Sequence, residues 1–277
     1  MPEIELQSAA AAARTRTPGG IPITVNERLQ RAPWWALALA IGGFIIILQV
    51  LTNETYRQVL NYIGDSIAYT ILISVVAYTL ALILGLFLGL GRVARNPVIY
   101  NIATLYVEVV RGVPLLVLLL YINIIVAPAL VNNVPQVALP LGLRDALWRA
   151  IYALALGYAA YLGEVYRAGI EAVPRGQSEA AASLGMSRFQ MMRYVILPQA
   201  IRTVLPALAN DFIAMIKDSS LASVIAVSEL TYLTRLNQAR TFTGIPNWNM
   251  AALLYLIMTL VASLGVRFIE RRNRTER

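Results

Sequence analysis

Six long apolar segments follow one another along the chain, and polar stretches separate them. Each has about the 20 residues that an α-helix needs to cross the hydrocarbon core of a bilayer. Because a backbone in lipid must satisfy its hydrogen bonds internally, we expect every segment to be helical. The pattern predicts an all-α polytopic membrane protein with about six transmembrane helices, at residues 34–51, 67–90, 112–130, 146–170, 204–227 and 250–269.

The regions around these segments are more polar. Residues 1–33 are rich in alanine and arginine, and we interpret them as a flexible cytoplasmic N-terminal arm. A signal peptide is the alternative, but the arm is long and no small-x-small cleavage site follows the first apolar segment. Residues 98–111 are predicted to be helical and to lead into the third span, and residues 271–277 form a basic tail.

Composition narrows the class of protein further. Apolar residues make up 58% of the chain and charged residues 14%, with a mean hydropathy of +0.63. A water-soluble globule or a disordered chain does not have such a composition. The net charge of +8 could indicate nucleic-acid binding, but in a membrane protein it more often reflects arginine-rich cytoplasmic loops.

Several kinds of catalytic site are excluded. The chain has no cysteine and no histidine, which removes thiol nucleophiles, the Ser-His-Asp triad and almost any zinc site. Its one lysine, Lys217, follows Ile216, whereas a phosphate-binding loop needs glycine there. We therefore expect no enzyme activity, no cofactor and no metal in this chain.

Arginine distribution predicts the orientation. With the N-terminus in the cytoplasm, sixteen arginines fall inside and five outside, while Arg111 and Lys217 lie at or inside span ends. The positive-inside rule then places both termini and residues 171–203 in the cytoplasm. Gly85 and Gly89 lie four residues apart in the second span, a spacing that lets helix backbones approach, and we interpret it as ordinary helix packing.

The inside loop at residues 171–203 is predicted to be structured. Ser178 can cap a short helix that begins at Glu179, and Gly185 suits a left-handed stop. Ser187 can cap a second helix, which Pro198 ends or kinks. An apolar face on that second helix combines Phe189, Met192 and Ile196. A compact helix–glycine–helix of this kind is typical of a docking element for another protein.

Four motifs in the chain resemble those of one transporter family. Glu179-Ala180-Ala181, then Gly185, then Val195-Ile196-Leu197-Pro198 resemble the EAA motif of ABC importer permeases, with valine in place of the usual isoleucine at 195. Three further stretches are similar to the branch that imports polar amino acids: Arg111–Leu116, Glu164–Gln177 and Lys217–Leu221. Ala168 replaces a usual glycine, and Ser219 replaces a usual threonine. The resemblance covers about residues 64–270.

The resemblance implies a multi-pass permease of the bacterial inner membrane. Such a permease pairs with a second permease chain, identical or paralogous, and joins separate ABC ATPase subunits, while an external solute-binding protein delivers the amino acid. The family has five core spans, so residues 34–51 are interpreted as an additional N-terminal span. The residues implied to couple this chain to the ATPase are Glu179, Ala180, Ala181, Gly185, Phe189, Met192, Leu197 and Pro198.

Charged and amide side chains near the spans are candidates for a substrate pathway, because ionisable residues in membranes usually pair or line cavities. Glu108 with Arg111, and Glu164 with Arg167, are each three residues apart and could form intrahelical pairs or belong to a gate. For Glu164 with Arg167 we favour a structural brace. The fifth span carries Asn210, Lys217 and Asp218, and we expect a bend near Asp218 with Lys217 facing the interior of the permease.

A self-contained secondary transporter or channel for small polar solutes is the alternative function. Proteins of that class often contain inverted repeats. We find no internal repeat in this sequence, and that class leaves the helix–glycine–helix unexplained.

Overall fold

The computed structural model describes residues 34–135 and 142–274, and all regular secondary structure in these residues is helical. The helices of the described residues are α1 (Trp34–Thr52), α2 (Glu54–Ile63), α3 (Ser66–Arg92), α4 (Pro97–Gly112), α5 (Leu115–Asn133, two α-helical parts joined by a π turn), α6 (Ala146–Glu171), α7 (Arg175–Ser183), α8 (Arg188–Met191), α9 (Leu197–Asp218), α10 (Leu230–Thr241) and α11 (Gly244–Arg274). The predicted arm at residues 1–33 lies outside the described residues.

The chain divides into two compact units, residues 1–47 and 48–277. The described part of the first unit is the N-terminal portion of α1, whose described side chains are mostly exposed and apolar. In the second unit the core lies where α3, α6 and α9 meet. Its buried side chains include Ile73, Tyr78, Leu154, Tyr158, Leu162, Leu208 and Met215.

Each of the six predicted apolar segments falls mainly on helix. Three helical stretches in the described residues are long and apolar enough to cross a membrane, Glu54–Arg92, Leu115–Asn133 and Gly244–Phe268, and Leu37–Thr52 is a shorter apolar helix. Helix α6 has 26 residues but is not among them. Most of it is buried by other helices, and its sequence accordingly uses alanine, glycine and tyrosine in place of lipid-facing aliphatic side chains.

Helices α3 and α6 approach closely at the paired glycines of α3. A Cβ atom added at Gly85 would lie 2.7 Å from Leu162 Cβ, and one at Gly89 would lie 2.6 Å from Tyr166 Cβ. Real Cβ atoms do not come so close, so only glycine fits at these two positions. The interpretation of this spacing as helix packing is confirmed, and the packing is within one chain.

Two wide π turns each precede a proline. In α5 the π turn is Ile122–Val126, followed by Pro128, and the second is Met192–Ile196, followed by Pro198. At the second turn the Leu197 N–H donates to the Met192 carbonyl, five residues back. Proline lacks an N–H and clashes with the preceding turn of a regular helix, and the wider turn relieves both problems. Pro198 therefore does not end the helix, which runs on from α8 into α9.

Other boundaries also differ from the predictions. Gly112 ends α4 and does not begin the third span, which starts at Leu115 after Val113 and Pro114.

The fifth predicted span begins earlier, at Leu197. Its α-helix ends at Asp218, where a bend was expected, and continues as a 3₁₀ helix over Ser219–Ile225. Helices α2 and α10 were not predicted, since both are short and neither contains a long apolar run.

Candidate functional site

The helix–glycine–helix begins one turn earlier than predicted. Helix α7 starts at Arg175, directly after Pro174, because proline favours the start of a helix. Ser178 is therefore inside the helix, where its hydroxyl donates to the Arg175 carbonyl at 2.7 Å. The expectation that Ser178 caps a helix from Glu179 is wrong.

Gly185 ends α7 in the conformation that the sequence predicts. Its φ is +76°, in the left-handed region, and an added Cβ would meet nothing within 4 Å. The Gly185 N–H donates to the Ala182 carbonyl at 3.0 Å, and the Met186 N–H donates to the Ala181 carbonyl at 3.2 Å. This pair of bonds is a Schellman motif. Glycine is required here by the backbone and not by crowding.

A capping box opens the second short helix. The Gln190 N–H donates to Ser187 Oγ at 3.3 Å, and the Ser187 N–H donates to Gln190 Oε1 at 2.8 Å. The predicted Ser187 cap is confirmed. The S-x-x-Q spacing of Ser187 and Gln190 is the sequence signal for this partner. The side-chain amide of Gln199 also donates to Gln177 Oε1 at 3.3 Å, and this bond connects the start of α9 to α7.

The helix–glycine–helix presents apolar side chains to solvent. Leu184 is 82% exposed, Phe189 71% and Tyr194 63%. The Arg193 guanidinium lies over the Tyr194 ring at 5.5 Å, so the surface is both apolar and basic. Large exposed apolar patches of this kind mark interaction sites. Sequence reasoning missed Leu184 and Tyr194, because their exposure depends on how α7 and α8 are oriented.

The other predicted coupling residues are divided between surface and interior. Ala181 is buried, while Met192 and Leu197 are half-buried against neighbouring helices. The exposed members of the set are Glu179, Ala180, Gly185, Phe189 and Pro198. Of the apolar face predicted for the second helix, Phe189 points outward while Met192 and Ile196 are half-buried.

A chain of ion pairs joins three helices near this element. Arg92 at the end of α3 lies 2.6 Å from Glu164 of α6 and 3.3 Å from Glu108 of α4. Arg167 pairs with Glu164 on the same helix and with Glu171 at 2.5 Å. The sequence did not single out Arg92, because its partners come from helices distant in sequence. These charges brace α3, α4 and α6 against one another.

Arg111 does not pair with Glu108, although the two are three residues apart. Its guanidinium lies 5.7 Å from the ring centre of Tyr161 on α6. The intrahelical pair between Glu108 and Arg111 is therefore absent, since Glu108 turns to Arg92.

The candidate pathway residues of α9 have different environments. Asp218 accepts a hydrogen bond from the Tyr158 hydroxyl of α6 at 2.7 Å. Asn210 and Lys217 are exposed on one face, seven residues apart, and neither has a hydrogen-bond or ion-pair partner in the described chain. An exposed lysine on an apolar helix needs a counter-charge, water or a second chain.

Known proteins share both the sequence and the fold. The family described as binding-protein-dependent transport system inner membrane component matches residues 81–275. The arginine transport system permease protein ArgU of Corynebacterium glutamicum is 31% identical over 90% of this chain and 83% of its own. The glutamine transport system permease protein GlnP of Escherichia coli K12 is 35% identical over 73% of this chain and 89% of its own.

A solved structure supports the same conclusion. The crystal structure of an amino acid ABC transporter with histidines is 37% identical, with a TM-score of 0.67 over 80% of this chain and 97% of that one. These matches favour an importer subunit over a self-contained secondary transporter. Together with the fold and the helix–glycine–helix, they show that the chain belongs to the family of inner membrane components of binding-protein-dependent transport systems.

Proposed function

We propose that this chain is the permease subunit of an ATP-driven importer of polar amino acids. Its partners are a separate ABC ATPase subunit, a second permease chain and an external solute-binding protein. Relatives named for arginine and for glutamine support the class of substrate without selecting one amino acid. The single observation that carries the proposal is the helix–glycine–helix over residues 175–196, with its exposed Leu184, Phe189 and Tyr194.

Coupling runs from this docking element into the spans. Helix α8 continues through the π turn into α9, so a displacement of the docking element moves the helix that carries Asn210, Lys217 and Asp218. Helix α9 also contacts the end of α6 at Gly169, where an added Cβ would lie 2.2 Å from Val204 Cγ1. Because this contact leaves no free space between the two helices, the cytoplasmic ends of α6 and α9 shift together.

Two exposed polar side chains on α9 support a substrate pathway along this helix. Asn210 and Lys217 lie on one exposed face of the single chain. In a pair of permease chains, that face would border the second chain or the path between them. An amino acid carries a carboxylate as well as an ammonium group, and the Lys217 ammonium suits that carboxylate.

Reconstitution tests the proposal. Proteoliposomes containing the permease, its ATPase and the solute-binding protein should accumulate a polar amino acid only when ATP is hydrolysed. Vesicles with a Walker-motif variant of the ATPase are the control and should show no uptake. Uptake by the permease alone, driven by an ion gradient, would establish the secondary transporter instead.

A further inference from the structure

An apolar groove of about 340 Å³ runs between α3 and α4. Its floor lies where the helices touch, since a Cβ at Gly91 would be 2.9 Å from Ala103 Cβ. Phe87 and Ile102 form its rims and are 67% and 65% exposed. Tyr106, the one side chain there with a hydroxyl, donates it to the Leu156 carbonyl at 2.9 Å. The groove therefore offers a ligand almost no polar contact.

The groove opens on the outer surface of a helix that crosses the membrane. Helix α3 belongs to the stretch Glu54–Arg92, which is long and apolar enough to span. Exposed apolar rims on such a helix face hydrocarbon, where burial of an acyl chain between side chains gains packing contacts.

Arg95 lies near one end of the groove. Arg95 sits in the turn between Gly91 and Ile99, both of which line the groove. It is exposed, and no ion pair or hydrogen bond engages its side chain in the described residues. Arg92, by contrast, is occupied by Glu108 and Glu164. The arginine distribution places this turn at the cytoplasmic border, where lipid phosphates lie.

We propose that the groove binds one acyl chain of an anionic phospholipid, with the headgroup held by Arg95. Such a lipid requires a long apolar surface for its acyl chain and a cation at the membrane border for its headgroup. This inference rests on the membrane location shared by the family and on the predicted position of Arg95 at the membrane border, and not on the proposed substrate or on coupling.

Native mass spectrometry of the purified permease tests the site with two lipids, phosphatidylglycerol and phosphatidylethanolamine. Leu84→Trp fills the groove, and Ile83→Trp is its matched control on an adjacent lipid-facing position outside the groove. Arg95→Gln removes the headgroup contact, and Arg202→Gln removes an exposed arginine elsewhere on the side predicted to be cytoplasmic.

Each variant has a distinct expected result. Arg95→Gln should weaken phosphatidylglycerol binding about fivefold and leave phosphatidylethanolamine binding unchanged. Leu84→Trp should reduce the binding of both lipids, while both controls bind like the parent protein. Wild-type lipid occupancy in Leu84→Trp, or equal losses in Arg95→Gln and Arg202→Gln, would overturn the proposal. So would disulfide cross-linking of Leu84→Cys into a second permease chain. If Leu84→Trp does not fold, the arginine pair still decides.

Discussion

Arg92 connects α3 to both α4 and α6 through ion pairs. It is mostly buried and touches two carboxylates that differ in environment, since Glu164 is largely shielded and Glu108 is exposed. Removing a shielded partner leaves a charge without compensation, whereas an exposed pair contributes little. The two arms of the network should therefore differ in energetic weight.

We predict that Arg92→Met lowers the free energy of unfolding by about 3 kcal/mol, because Glu164 loses one of its two cations. Glu108→Gln, the matched variant that removes only the exposed arm, should cost less than about 1 kcal/mol. Denaturant unfolding in mixed micelles measures both. Equal effects would show that the shielded contact has no special weight.

Local rules predicted those single-residue features that depend on neighbours in sequence. Gly185 and Ser187 behave as expected, because helix caps are set within four or five residues. The prediction that Ser178 caps a helix is wrong, because the helix begins earlier, directly after Pro174. The partner of Glu108 could not be predicted, because its choice of Arg92 over Arg111 follows from the packing of α4 on α3.

The length of an apolar segment predicted helices reliably, whereas proline did not mark the helix ends that it usually indicates. Long apolar segments form helices whether lipid or other helices cover them, so all six fall mainly on helix. The helices α2 and α10 lack that length, and the π turns before Pro128 and Pro198 arise from a conflict between proline and a continuing helix. The π turn before Pro198 sets the angle at which α8 presents the docking surface relative to α9.

Pro198→Ala should therefore alter coupling. With the N–H restored, the turn can relax to a regular α-helix, and loss of one residue from the turn rotates α8 by about 100° relative to α9. We expect weaker binding of the ATPase with unchanged or increased thermal stability. Pro128→Ala, which removes the same feature from α5, should leave ATPase affinity unchanged. Identical affinities for the two variants and the parent, measured by titration, would contradict this role of the π turn.

The whole molecule combines a membrane body with one structured docking element. The arginine bias predicts which side that element faces, because arginines are retained on the cytoplasmic side. The tertiary arrangement of α3, α6 and α9 was beyond the sequence, since glycine contacts and ion pairs between distant helices determine it.

Cysteine labelling can test the orientation cleanly, because the chain has no cysteine of its own. Gln177→Cys on α7 should be protected from an impermeant maleimide added to intact cells and should react after lysis. Gln58→Cys on α2, an exposed position predicted to be outside, should react in intact cells. The reverse pattern would invert the topology and place the docking element away from any cytoplasmic ATPase.

The most direct test of the central claim is the ratio of ATP hydrolysed to amino acid transported in a Gly185→Val complex. Valine in a left-handed conformation costs about 1–2 kcal/mol or more, so α7 and α8 should lose their relative orientation. Gly176→Val is the matched control, because Gly176 is equally unobstructed but has no positive φ. We predict that Gly185→Val inserts normally but loses ATPase association or hydrolyses ATP without transport, while Gly176→Val stays coupled. Normal association and an unchanged ratio in Gly185→Val would contradict the assignment of residues 175–196 as the coupling element.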